Sequence, residues 1–163
     1  MKTTKTVRQL AIAIAATTLA LTGTVATAGT AQAAIDNESG LPIVSMGEPG
    51  ILYQGQYIET GYTRLILQTD GNLVIYRTAE GGPSYAKWAA PGTWGCGVKA
   101  IMQGDGNFVV YGTNNRFCWA SSTFKSSPSK TATLEVYGRG GLGVAMQDSA
   151  SKSFSVIASS DPY

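Results

Sequence analysis

Gln68-Thr69-Asp70-Gly71-Asn72-Leu73-Val74-Ile75-Tyr76 recurs 35 residues later as Gln103-Gly104-Asp105-Gly106-Asn107-Phe108-Val109-Val110-Tyr111. Both copies keep Gln, Asp, Asn, Val and Tyr at every second position. Self-similarity at such a period marks a fold assembled from repeated units. In extended chain, alternate side chains point to one face. Gln68, Asp70, Asn72, Val74 and Tyr76 therefore share an ordered polar face, and Leu67, Leu73 and Ile75 share the face that reads as core. Asp-Gly between alternating apolar residues predicts a hairpin. A two-residue Asp70-Gly71 loop would set Gln68 against Leu73 and split the polar set. An odd loop keeps it together: Asp70-Gly71-Asn72, for example, sets Gln68 opposite Val74 and Ile66 opposite Tyr76, with Gly71 or Asn72 taking positive φ at little cost. Turn chemistry alone accounts for Asp-Gly-Asn. It does not require the matched Gln, Val and Tyr, which point to a binding face.

A third unit is visible by spacing. Leu134-Glu135-Val136-Tyr137 aligns with Leu65-Ile66-Leu67-Gln68, and continuing the register places Tyr137, Arg139, Gly141, Gly143 and Ala145 where Gln, Asp, Asn, Val and Tyr stood. Every polar group of the motif is lost there, while Leu142 and Val144 keep the apolar side. Trp88 and Trp119 follow the first two motifs at similar distances, which predicts a shared aromatic core; stacking on a sugar is the sharper alternative.

The chain has 163 residues, enough for one ordinary domain. Lys2, Lys5 and Arg8, the uncharged run from Leu10 to Leu21, and Ala31-Gln32-Ala33 read as a secretory signal peptide over residues 1–33, with the mature chain starting near Ala34. The apolar run is short for a membrane span, and a secreted, extracellular product is expected. Past residue 33, nine Lys and Arg face ten Asp and Glu. That balance implies no basic surface for nucleic acid and favours a neutral polar ligand. Residues 34–49 read as a polar leader, loop apart from a short strand at Leu41 to Val44. Gly50 to Ile58 reads as a strand pair or a bent strand, and Tyr62 to Gln68 as a strand. Short alternating runs between Gly-rich turns, with no convincing helix after the signal, make residues 50–163 an all-β domain of three repeats, about four strands each, in a closed or three-sided architecture.

No catalytic set is found. There is no histidine, a glycosidase needs two carboxylates about one bond, and Asp70 and Asp105 lie in separate units. No metal site or cofactor is expected, since two cysteines alone do not complete a tetrahedral zinc site. Cys96 and Cys118 flank the second repeat, and export makes a disulfide the default.

Gln-x-Asp-x-Asn-x-Val-x-Tyr at 68–76 and 103–111 resembles the signature of the bulb-type mannose-binding lectins. The resemblance covers roughly residues 50–160 and includes Ile51-Leu52-Tyr53-Gln54-Gly55, the Trp-Ala-Ser after a unit and the threefold period. It implies a β-prism of three four-stranded antiparallel sheets around a pseudo-threefold axis. It also implies one mannose at each intact motif. Asp70 and Asn72 would bond the axial 2-hydroxyl, Gln68 the 3-hydroxyl and Tyr76 the 4-hydroxyl, with Val74 against ring carbons; Asp105, Asn107, Gln103, Tyr111 and Val109 would repeat these roles. The third unit departs at every site position, so no standard site is expected there. The cysteines depart too, since plant members place one at the position of Gly71. The implied partners are mannose or mannose-rich glycans. A homodimer formed by exchange of the C-terminal strand, Phe154-Ser155-Val156-Ile157, would double the sites. Alternatives on the same fold are a lectin-like bacteriocin, whose relatives usually carry two such domains in tandem, and a structural or inhibitory secreted protein.

The cysteine reading has a direct test. Mass spectrometry of the unreduced secreted protein should show a mass lower by two hydrogens, with no alkylatable thiol.

Overall fold

The repeat period becomes three antiparallel sheets that turn their apolar faces towards one another. The structure, a computed structural model, describes residues 31–35, 42–78 and 83–158. Its strands are β1 (Ala31–Ile35), β2 (Pro42–Gly47), β3 (Gly50–Tyr53), β4 (Tyr57–Thr60), β5 (Thr63–Leu67), β6 (Leu73–Thr78), β7 (Ser84–Ala89), β8 (Lys99–Met102), β9 (Phe108–Tyr111), β10 (Phe117–Ala120), β11 (Thr131–Tyr137), β12 (Leu142–Gln147) and β13 (Lys152–Ala158). One 3-10 turn, Thr113–Asn115, joins β9 to β10. The first repeat forms the sheet β4-β5-β6-β7, and the second forms β10-β9-β8-β3. The third forms β2-β11-β12-β13, with β1 added at the β2 edge. This is the all-β prism expected.

Alternation explains the packing. Leu65, Leu67, Leu73 and Ile75 of the first sheet are buried. They meet Met102, Phe108 and Val110 of the second and Leu134, Val136, Leu142 and Val144 of the third in one cluster. Each such side chain contributes roughly 1.5–3 kcal/mol by leaving water. Trp88 and Trp119 pack against the cluster and meet edge to face, ring centroids 5.7 Å apart. The shared aromatic core is therefore observed. Cys96 and Cys118 are joined by a disulfide.

Three expectations need correction. The leader is not mostly loop: β2 runs Pro42–Gly47 and pairs along β11, Met46 opposite Leu134 and Val44 opposite Val136. Partners from the far end of the chain give Val44 and Met46 a core to enter, and both are buried. Next, β3 and β4 do not pair with each other but part into different sheets, β3 along β8 and β4 along β5. Finally, the hairpin loop is odd and three residues long as expected, but it sits one residue earlier, so the pairing register is shifted by two. Ile66 pairs with Val74 and Arg64 with Tyr76. The loop is Thr69-Asp70-Gly71, closed by Gln68 N–H to Asn72 C=O at 2.8 Å. Gly71 takes φ +85°. The expected signal peptide falls largely outside the described residues, and its cleavage point falls within β1. Ser159 and Ser160, aligned by sequence with Ser121 and Ser122, also lie outside them.

All three units close the same way. Gln103 N–H bonds Asn107 C=O, and Tyr137 N–H bonds Gly141 C=O, each at 2.9 Å. Gly106 and Gly140 take φ +87° and +93°. The register read for the degenerate third unit is thus the observed one.

Each left-handed glycine also touches the next segment around the axis. A Cβ on Gly71 would lie 2.8 Å from the Gly97 backbone, on Gly106 2.8 Å from Lys125 Cγ, and on Gly140 2.5 Å from Lys87 Cδ. Positive φ alone costs alanine about 1–2 kcal/mol. Gly97 backbone cannot step aside, whereas the Lys87 side chain can. Gly71→Ala should therefore lower unfolding free energy clearly more than Gly140→Ala, as measured by urea denaturation of the two variants.

Candidate functional site

The hairpin geometry gathers the motif residues of each intact unit on one outer sheet face. Asp70 Oδ1 accepts the N–H of Asn72 at 2.9 Å, and Asp105 Oδ1 accepts that of Asn107 at 2.9 Å. Each aspartate thus fixes its own loop with one oxygen, as turn aspartates do, and leaves the other free in an exposed position. Gln68 Nε2 donates to Tyr76 Oη at 3.0 Å, and Gln103 Nε2 to Tyr111 Oη at 3.0 Å. The amide and phenol are locked together before any ligand arrives.

The asparagines are held from behind. In the first unit, Thr93 Oγ1 accepts Leu73 N–H at 3.0 Å. It also lies 2.9 Å from Asn72 Oδ1 and 2.8 Å from Ala90 C=O, the two acceptors for its single proton. In the second unit, Ser121 Oγ accepts Phe108 N–H at 3.0 Å and lies 3.1 Å from Asn107 Oδ1. Thr123 stands behind Ser121 at 2.7 Å and donates to Gly106 C=O at 2.9 Å. With Oδ1 of each asparagine turned towards the supporting hydroxyl, Nδ2 is the end left to donate outward.

The leftover valences define the chemistry. Each unit presents two acceptors, an aspartate Oδ2 and a glutamine Oε1. It also presents three donor groups: an asparagine Nδ2, a tyrosine O–H and the second N–H of the glutamine Nε2. Such a set matches neighbouring hydroxyls, each of which donates once and accepts. Val74 and Val109 lie between these groups on the same face but are each only 2 % exposed. They form a floor rather than a projecting contact. All five motif residues of each unit, Gln68 to Tyr76 and Gln103 to Tyr111, are thus brought together within their sheet, and the two sets lie on separate sheets.

Sequence reading missed the supporting shell. By their backbone bonds to Leu73 C=O and Phe108 C=O, Ala90 and Ser121 are equivalent. Trp119-Ala120-Ser121 carries the needed hydroxyl, Trp88-Ala89-Ala90 lacks it, and Thr93 supplies it from three residues on. The missing Ser was the available signal. Beyond it, Gly95 N–H bonds Asp70 C=O at 2.7 Å, and Lys125 N–H bonds Asp105 C=O at 2.8 Å. Lys125 also pairs its ammonium with Glu48 in a largely buried contact. The residues just before these anchors, Trp94 and Phe124, are both exposed aromatics.

The third face is built and blocked. A Cβ on Gly143, which stands in the place of Val74, would meet Phe154 Cζ at 2.3 Å. The Phe154 ring lies over Gly143 and edge-on to Tyr137, centroids 5.6 Å apart. Glu135 beside it accepts from Tyr137 O–H at 2.6 Å and from Lys152 Nζ at 3.2 Å. The position is filled by the chain itself. Among the described residues, no group of three or more His, Cys, Asp or Glu side chains is placed to hold a metal ion. Among them, too, no helix is long and apolar enough to cross a membrane.

Comparison with solved structures finds three close parallels. A lectin from Allium sativum shares 30% identity at a TM-score of 0.55, with 66% of this chain and 97% of that one covered. A monomeric mannose-binding lectin from Gastrodia elata shares 28% identity at 0.52, covering 72% and 96%. The lectin of Polygonatum cyrtonema, solved with a monomannoside, shares 26% identity at 0.51, covering 66% and 91%. No protein-family model matches the chain, and no curated protein matches it.

The shell behind the site can be tested by stability. Thr93→Val should leave the buried Leu73 N–H unpaired and cost about 1–3 kcal/mol, read as a lower urea midpoint. Ser121→Ala should do the same in the second unit.

Proposed function

The chain belongs to the bulb-type mannose-binding lectin family, and on that premise we propose that it is a secreted lectin for α-D-mannose and mannose-containing glycans, with two sites. The first comprises Gln68, Asp70, Asn72, Val74 and Tyr76, and the second Gln103, Asp105, Asn107, Val109 and Tyr111. One observation carries the assignment. In both units the same set of acceptors and donors stays unspent after the internal hydrogen bonds are made. Asp Oδ2 and Asn Nδ2 on one axial 2-hydroxyl would favour mannose over glucose, whose 2-hydroxyl is equatorial. Glutamine and tyrosine would take the next hydroxyls round the ring. The neighbours are lectins, proteins that bind carbohydrate without transforming it, and the Polygonatum cyrtonema structure holds a monomannoside.

Export is supported by the basic and apolar start of the chain and by a disulfide that suits an oxidising compartment. Each site is shallow and offers a few hydrogen bonds, so single-sugar affinity should be weak, about millimolar. Two sites on different sheets cannot close on one small sugar but can bridge arms of a branched glycan, raising apparent affinity by roughly 10² or more.

Calorimetry with methyl-α-mannoside on the mature protein should give two sites per chain. Asp70→Ala and Asp105→Ala should each remove one, and the double variant should bind nothing while still folding cooperatively, with stability lowered only by the two lost turn bonds. Each loses a charge-assisted bond of about 1.5–3 kcal/mol. A stoichiometry of three, or normal binding by the double variant, overturns the assignment. On immobilised mannan, surface plasmon resonance should show much tighter binding than monomeric mannose achieves as an inhibitor.

A further inference from the structure

The outer face of the first sheet holds more than the motif. A groove of about 520 Å³ begins at Gln68 and Tyr76 and continues to Arg64, Glu59, Thr78 and Ser84. The register explains its course. Arg64 lies directly opposite Tyr76, Glu59 opposite Arg64, and Ser84 opposite Thr78. These side chains extend the motif face along the strands, away from the turn. From Gln68 to Arg64 is four strand residues, about 13 Å, which is longer than one hexose ring. The volume falls in the range of about 300–1,000 Å³ that holds ligands much larger than a monosaccharide.

The lining has the chemistry of a neutral polyhydroxyl ligand. Arg64 is ion-paired with Glu59, and its guanidinium lies over the Tyr57 ring at 4.4 Å. Its charge is compensated and its position set, so the pair offers N–H donors beside carboxylate acceptors without selecting an anion. Thr78 and Ser84 hydroxyls bond each other at 2.7 Å and retain capacity for a further partner. Tyr62 adds an aromatic wall, with the Arg77 guanidinium 5.3 Å from its ring centre. The second sheet is furnished differently. The positions of Arg64 and Glu59 are occupied by Lys99 and Tyr53, which lie opposite each other, so the compensated pair is replaced by an ammonium and a phenol.

We propose that the first site is one end of an extended subsite for a linear oligosaccharide of neutral hexoses, two to three units long, and that the two sites therefore differ in the glycans they prefer. The inference rests on the mannose reading of the motif: one hexose occupies Gln68 to Tyr76, and the next units run past Arg64 to Thr78 and Ser84.

The test uses the mature protein carrying Asp105→Ala, which leaves the first site alone, and calorimetry with methyl-α-mannoside, α-linked mannobiose and mannotriose. The trisaccharide should bind at least about tenfold tighter than the monosaccharide. Adding Arg64→Met with Thr78→Val should bring the trisaccharide-to-monosaccharide affinity ratio close to one. In the reciprocal Asp70→Ala protein, the ratio should already be close to one. A monosaccharide that binds while the trisaccharide gains nothing overturns the groove, as does a gain that survives Arg64→Met with Thr78→Val. Silence of every mannoside, monosaccharide included, overturns the mannose reading itself and the groove with it.

Discussion

Three glycines in the left-handed region, each packed closely against the neighbouring unit, hold the sheets together. Gly71, Gly106 and Gly140 are each left-handed and buried. Each meets a different neighbour: the chain entering the second unit, the chain entering the third, and a strand of the first. The contacts run in one direction around the axis and close on themselves. A hairpin tip is normally the loosest part of a sheet. Here the tips are the joints between sheets, and the motif residues stand on them. The aspartate and asparagine are therefore fixed by the same contacts that fix the fold, so the ordering cost of the site is met during folding rather than on binding.

The two intact units reach one geometry by different means. Thr93, on a segment bridged by the Cys96–Cys118 disulfide, supports the first. The Ser121–Thr123 hydroxyl relay and the largely buried Lys125–Glu48 pair support the second. A buried ion pair adds little net stability, yet breaking it is costly because one charge is left stranded. The two sites therefore have separate vulnerabilities: the first to loss of the cross-link beside it, the second to loss of either charge.

How much was legible follows from where the information sits. The two motifs, their shared face and the third-unit register from Tyr137 to Ala145 could be read because each is a local pattern repeated at a near-constant offset. The Trp88–Trp119 contact followed from indoles at similar places after the motifs, and the disulfide from two cysteines in a chain expected to be exported. The odd loop was legible from parity, but parity cannot separate Asp70-Gly71-Asn72 from Thr69-Asp70-Gly71. The choice is made by Asp70 Oδ1 turning onto the Asn72 N–H. The β2 strand was under-read because its partner, β11, lies far along the chain and neither segment announces the other. Thr93 was missed because the hydroxyl absent at Ala90 returns three residues later and so breaks the offset between the units, leaving the missing Ser as its one trace in the sequence.

Phe154 over Gly143 gives the third sheet a different status from a site merely eroded. The ring is an internal ligand, tethered by β13 and present at a high effective concentration, so no dissolved sugar competes with it on equal terms. Restoring the motif residues along β11 and β12 would therefore not restore a site. A valine at Gly143 would drive its methyl groups into the ring, and a tyrosine at Ala145, which pairs with Phe154, would contend for the same space. A third face like the other two could be built only by moving β13 first. What closes this face is a residue that belongs to no motif.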